Sequence, residues 1–144
     1  MLCKYRRLGY TGGMVEYRSK TGAVYALKYH LVWCPKYRRK VLVGAVEADV
    51  RTLLQQKAEQ LRVTIEALDI MPDHVQLVIA APPSEAPHRL ANQFKGFTSR
   101  MLRQKYPELR SRLPSLWSRS YYIGTIGHVS EKTVKAYIEA QKRS

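Results

Sequence analysis

The stretch "VTIEALDIMPDHVQLVIA" (63–80) decides the fold. Residues 63–71 read as a strand and 74–80 as a second strand. Only Pro72 and Asp73 separate them. So short a break predicts a tight antiparallel turn. His74 and Gln76 then stand at positions i and i+2, which point to one face of a strand, while Val75 points to the other.

Working outward from this hairpin, "AVYALKYHLVWCP" (23–35) alternates. Tyr25, Leu27, Tyr29, Leu31 and Trp33 share one face, with Lys28 and His30 on the other. That period predicts a strand ending at Pro35. "KYRRK" (36–40) is a basic loop. Residues 45–62 carry Val46, Val50, Leu53, Leu54 and Leu61 at helical spacing. After the breaker "APPSEAP" (81–87), a second helix runs to about Tyr106. Leu90, Phe94, Phe97 and Met101 lie on one side and Arg89, Lys95, Ser99 and Arg103 on the other. Pro107 and Pro114 interrupt it. "LWSRSYYIGTIG" (116–127) reads as a last strand, loosened at its end by Gly124 and Gly127. Residues 130–144 read as a final helix, with Ser130 as N-cap and Lys142 and Arg143 in its last turn.

The order β-α-β-β-α-β plus a helix predicts an α+β, ferredoxin-like antiparallel sheet. Both crossover helices would lie on one face, leaving the other face for a ligand. Residues 1–23, basic and glycine-bearing without an apolar period, read as an N-terminal arm in loop form. Residues 24–144 form the single domain that 144 residues suggest.

Composition narrows the function. Hydrophobic residues are 45 % of the chain, enough for a core, and the formal net charge is +14. Such a chain attracts polyanions, nucleic acid first. No apolar run is long enough to span a bilayer. No secretory signal opens the chain, and Cys3 and Cys34 lack metal-type spacing, so a cytoplasmic setting is expected. From Arg89 to Arg119 eight Lys or Arg face a single acid, Glu108. Tyr5, Tyr10, Tyr37, Trp117, Tyr121 and Tyr122 are interleaved with the basic segments. Cations that track phosphates beside rings that stack on bases favour single-stranded or hairpin nucleic acid. The expected contacts are Lys36, Arg38, Arg39, Lys95, Arg100, Arg103 and Arg119.

Several side chains have two open readings. His74 and Gln76 are solvated strand-edge residues or metal ligands, an imidazole suiting transition metals and an amide oxygen suiting harder cations. Tyr137 and Gln141 in "AYIEAQ" (136–141) lie one helical turn apart; Tyr137 is an amphipathic anchor or something more. Asp73 orients His74 or simply forms the turn. His30 reads as an edge histidine, His88 and His128 as surface residues.

Five segments in order, "YHLVWCPKYRRKVL", "MPDHVQLVI", "FKGFTSRMLRQKYP", "LWSRSYY" and "AYIEAQ", resemble the single-tyrosine HUH transposases, the TnpA-like enzymes of the IS two-hundred/six-oh-five insertion sequences. The resemblance covers roughly residues 24–142. It implies a homodimer that recognises DNA hairpins at element ends. It also implies cleavage and rejoining of single-stranded DNA through a 5′-phosphotyrosine. By position, Tyr137 matches the nucleophile, with the terminal helix docking on its own or the partner protomer. His74, Gln76 and Gln141 match the metal ligands, and the cofactor would be Mg²⁺ or Mn²⁺. Gln76 departs from the second histidine of the HUH pair, which implies weaker metal binding. A working variant, an engineered substitution, and a binder of structured single strands that no longer cuts all fit that departure. A host-retained relative is a further alternative.

Overall fold

The computed structural model describes residues 18–20, 23–25, 27–125 and 131–141. Ten elements follow in order: β1 Arg18–Lys20, β2 Ala23–Tyr25, β3 Leu27–Trp33, α1 Gly44–Leu61, β4 Thr64–Met71, β5 His74–Ala81, α2 Pro87–Lys105, α3 Pro107–Arg112, β6 Tyr122–Thr125 and α4 Glu131–Ala140. The main sheet has the order β4-β5-β3-β6, and every neighbouring pair is antiparallel. This is the ferredoxin-like α+β arrangement that the element order predicts.

Period-two side-chain alternation gives the sheet two different faces. Tyr29, Leu31, Trp33, Val75, Leu77 and Ile79 project to one side. There they pack with Val50, Leu54 and Ala58 of α1 and Leu90, Ala91, Phe94 and Leu102 of α2. Val32, Ala67 and Val78 project to the other side and meet Ile138, with Tyr122 and Tyr137 against them. So α4 lies on the sheet of its own chain, over the face expected to be open. Ile138 drives that docking, because Val32 and Val78 offer an apolar strip that must be covered.

Three local expectations differ. Residues 18–20 of the supposed arm are not loop. Arg18, Ser19 and Lys20 pair with Tyr25, Val24 and Ala23. A backbone ladder forms without any apolar period to announce it. The last strand is shorter than 116–127. Leu116 to Tyr121 runs irregularly, apart from one bridge between Trp117 and Pro35. Lys95 packs against this segment and is buried, not on a solvated helix face. Its ammonium donates to the carbonyls of Ser118, Arg119 and Ser120 at 2.8, 3.1 and 3.2 Å. Successive strand carbonyls point in alternating directions, so three aimed at one nitrogen curl the chain out of the sheet. Gly124, read as a loosening residue, is a ladder partner of His30. A Cβ there would stand 2.9 Å from the Tyr122 hydroxyl, so the absent side chain is what lets the Tyr122 ring lie down. Gly127, His128, Ser130, Lys142, Arg143, Cys3 and the first residues of the arm lie outside the described residues.

Candidate active site

β5 carries His74 and Gln76 onto the face covered by α4. They are 1 % and 2 % exposed, so they are not solvated edge residues. Asp73, in the turn before β5, accepts a 2.7 Å hydrogen bond from Nδ1 of His74. That contact puts the ring proton on Nδ1 and leaves the Nε2 lone pair to act as acceptor or ligand. Gln76 donates to this Nε2 at 3.5 Å through its amide nitrogen. Its amide oxygen accepts from Nε2 of His30 at 3.2 Å.

His30 sits in the middle of the sheet and not at an edge, because β3 runs between β5 and β6. It is fully buried, and burial pulls its pKa down to about 4 against the hydrogen bond it donates to Gln76, so the ring is neutral at physiological pH. Its ring meets Tyr122 edge-on at 6.2 Å, and Tyr122 in turn lies 6.4 Å from the Tyr137 ring. A continuous run of contacts therefore leads from Gln76 through His30 and Tyr122 to Tyr137.

Tyr137 and Gln141 share a helix face, as their spacing predicts. The Gln141 amide donates to the Tyr137 carbonyl at 3.3 Å. Its oxygen accepts from the hydroxyls of Ser118 at 2.7 Å and Ser120 at 2.9 Å. The Ser120 hydroxyl also meets the Tyr137 hydroxyl at 3.3 Å. Burial pushes the Tyr137 phenol up to about 12, partly opposed by the Ser120 contact. The phenol is therefore a weak nucleophile until its proton has somewhere to go.

A second bridge ties α4 to the β5 turn. Arg38 Nε pairs with Asp73 at 3.0 Å, while Nη1 donates to the Ile138 carbonyl and the Glu139 carboxylate, both at 3.2 Å. Arg38 and Tyr37 reach this pose with φ of 53° and 58°, a left-handed turn uncommon for non-glycine residues. Arg38 is thus largely buried and committed within the protein. Lys95, likewise expected to face DNA, is also largely buried and bonded within the protein.

The remaining expected cations do reach the surface. Lys36 and Arg119 line a groove of about 460 Å³, and Lys95, Ser99 and Ser115 belong to the same wall. Arg39 lines a second hollow of about 420 Å³ with Lys40 and Arg112. Arg100 is exposed beside the Phe97 ring, and Arg103 reaches the Pro114 carbonyl at 3.3 Å. His88 is exposed, as read. Cys34 is buried and its thiol is pushed up to about 12 by that burial.

Sequence reasoning overlooked Ser118, Ser120 and Asp69. The serines stand two apart in "WSRSYY", a spacing that marks them only once the segment is known to curl. Asp69 is the cross-strand partner of Gln76 and so shares its face. Its Oδ2 is buried with no hydrogen-bond partner among the described residues. Among those residues no three His, Cys, Asp or Glu side chains form a metal cluster, and no helix is long and apolar enough to cross a membrane.

The chain is similar in sequence and fold to several known proteins. The family model "Transposase IS200 like" matches residues 23–141. The chain is 36 % identical over 129 residues to the ISDra2 transposase TnpA of Deinococcus radiodurans, covering 88 % of this chain and 92 % of that protein. It is 30 % identical over 116 residues to the transposase for insertion sequence element IS200 of Salmonella typhimurium, covering 79 % and 76 %. A crystal structure from Deinococcus radiodurans R1, assigned as a transposase, superposes with a TM-score of 0.79 at 33 % identity, over 86 % of this chain and 97 % of that one. A REP-associated tyrosine transposase bound to a REP hairpin shares the fold, with a TM-score of 0.54 at 14 % identity over 88 % and 69 %.

Proposed function

The chain belongs to the IS200-like transposase family, and on that premise we propose that it binds hairpin-bearing single-stranded DNA and cleaves and rejoins it through Tyr137. The phenol oxygen attacks the scissile phosphorus. The bond from phosphorus to the 3′ oxygen breaks, and that oxygen leaves as a 3′-hydroxyl after taking a proton. The 5′ phosphate stays on Tyr137 as a phosphodiester. A later 3′-hydroxyl attacks the same phosphorus and restores the phenol. Each step exchanges one phosphate ester for another, so no nucleotide cofactor is consumed.

The observation that carries this reading is the placement of α4 on the sheet face that holds His74 and Gln76. His74, Gln76 and Gln141 are the residues that would hold a divalent cation, Mg²⁺ or Mn²⁺. Two features favour a cation here: the His74 Nε2 lone pair freed by Asp73, and the Asp69 oxygen beside Gln76, which has no hydrogen-bond partner among the described residues. To present oxygen beside His74, the Gln76 amide turns over, and neutral His30 accommodates this by donating from its other nitrogen. Such a cation would polarise the phosphate and offset the charge that develops on it. Lys36, Arg39, Arg100, Arg103 and Arg119 offer their charge to the strand. The arm of residues 1–23 adds further cations, and a homodimer would present two such faces to paired hairpins.

The test is a denaturing gel of labelled hairpin-bearing single-stranded DNA incubated with protein and Mn²⁺. A covalent adduct present in the wild type and absent in Tyr137→Phe is the expected result. Binding without any adduct would leave only a binder of structured strands.

A further inference from the structure

Lys95 is a buried cation with no ion pair among the described residues. Its Nζ instead gathers three successive carbonyls, those of Ser118, Arg119 and Ser120. A lysine ammonium has three donors, and here each has one acceptor. The curl that results brings the Ser118 and Ser120 hydroxyls, two residues apart, onto the same oxygen of Gln141. From there Ser120 also touches the Tyr137 hydroxyl. Lys95 touches neither Gln141 nor Tyr137 in any of these bonds.

We propose that Lys95 is a positioning residue: by curling Ser118–Ser120 it sets the two hydroxyls that orient the Gln141 amide and the Tyr137 phenol. This rests on Tyr137 being the nucleophile. Burial lowers the Lys95 pKa to about 8, so at neutral pH the ammonium is still the major form and all three bonds are available. The start of the segment has other anchors. Trp117 Nε1 donates to Thr98 at 2.9 Å, and the Ser118 amide donates to the Cys34 carbonyl at 2.9 Å. Loss of Lys95 therefore frees Arg119 and Ser120 ahead of the rest of the fold.

A phosphate-contacting lysine and a positioning lysine fail differently. Single-turnover adduct formation with Mn²⁺ and DNA affinity are measured in wild type, Lys95→Met, Lys95→Gln, Ser120→Ala, Ser120→Thr and the Lys95→Met/Ser120→Ala pair. Positioning predicts a rate loss of about tenfold or more in Lys95→Met and Ser120→Ala at unchanged affinity, restored by Ser120→Thr. The double variant is no worse than Lys95→Met, since both act through one contact. Lys95→Gln, which keeps two donors, falls between and decides the matter should the Met variant fold poorly. Independently of activity, 3-fluorotyrosine labelling gives a ¹⁹F signal for Tyr137, identified by its loss in Tyr137→Phe. That signal should move in Lys95→Met and in Ser120→Ala without DNA. Weakened affinity with a flatter salt dependence and an unchanged saturating rate would overturn the proposal, as would additive losses or an unmoved ¹⁹F signal. A wild type that forms no adduct refutes the nucleophile and leaves the ¹⁹F result to judge Lys95.

Discussion

Arg38 and Asp73 form a 3.0 Å ion pair whose other ends hold different parts of the molecule. Asp73 fixes the His74 ring, and Arg38 holds the Ile138 carbonyl and Glu139 of the terminal helix. The tautomer of the candidate ligand and the seating of the tyrosine helix thus meet in one guanidinium.

Arg38→Met should therefore loosen α4. Removing one member of a largely buried pair leaves the Asp73 carboxylate exposed to an apolar neighbour, which costs about 2 kcal/mol. Urea denaturation should show that loss, and amide exchange should quicken in α4 more than in α1. Equal protection in both helices would mean that Arg38 does not hold the helix.

Asp73→Asn tests the other end. An amide still accepts from Nδ1 but without charge, so the His74 Nε2 becomes a poorer donor to a metal. Divalent-ion affinity should fall by about tenfold or more. Mn²⁺ titration by electron paramagnetic resonance reads this directly, and an unchanged affinity would remove His74 from the ligand set.

Gln76→His should act in the opposite direction. An imidazole nitrogen beside His74 binds late first-row divalent ions better than an amide oxygen does. Both Co²⁺ affinity and the adduct yield with Co²⁺ should rise. If neither changes, Gln76 is not a ligand, and its hydrogen bond to His30 is its whole role.

Alkaline pH probes burial. Cys34 and Tyr137 are both raised to about 12 from ordinary values of 9.0 and 10.0. The unfolded chain releases these protons first, so it binds fewer protons than the native state above pH 9. Stability is then fully present below pH 9 and falls as pH rises toward 12. Lys95, lowered to about 8, acts with the opposite sign over pH 8–10.5, so the loss is read as a difference: urea midpoints of Cys34→Ala and Tyr137→Phe should fall less than that of the wild type between pH 9 and pH 12. Variant midpoints that track the wild type throughout this range would contradict the burial of both groups.

The alternation around the Pro72-Asp73 turn, the apolar spacing in 45–62 and the tyrosine–glutamine spacing near the end were enough to place most elements. They also put His74 with Gln76, and Tyr137 with Gln141. These features are legible because they depend on local periodicity, which each segment carries by itself. The burial of Lys95 and Arg38 was not legible for the complementary reason. A cation is exposed or buried according to what packs around it, and the carbonyls of Ser118–Ser120 and the end of α4 come from distant parts of the chain. His30 is the same case, an edge residue on its own strand and a central one once β5 and β6 flank it.

The sequence alone determined the order of the main-sheet strands and their crossover helices, the two residue pairs and the surplus of positive charge, since each is a property of neighbours along the chain. Tertiary structure alone decided that α4 covers its own sheet, that Asp69 and His30 border Gln76, and that a buried ammonium shapes the serine segment. Those outcomes arise from long-range competition for apolar cover and hydrogen-bond partners, which no local pattern records.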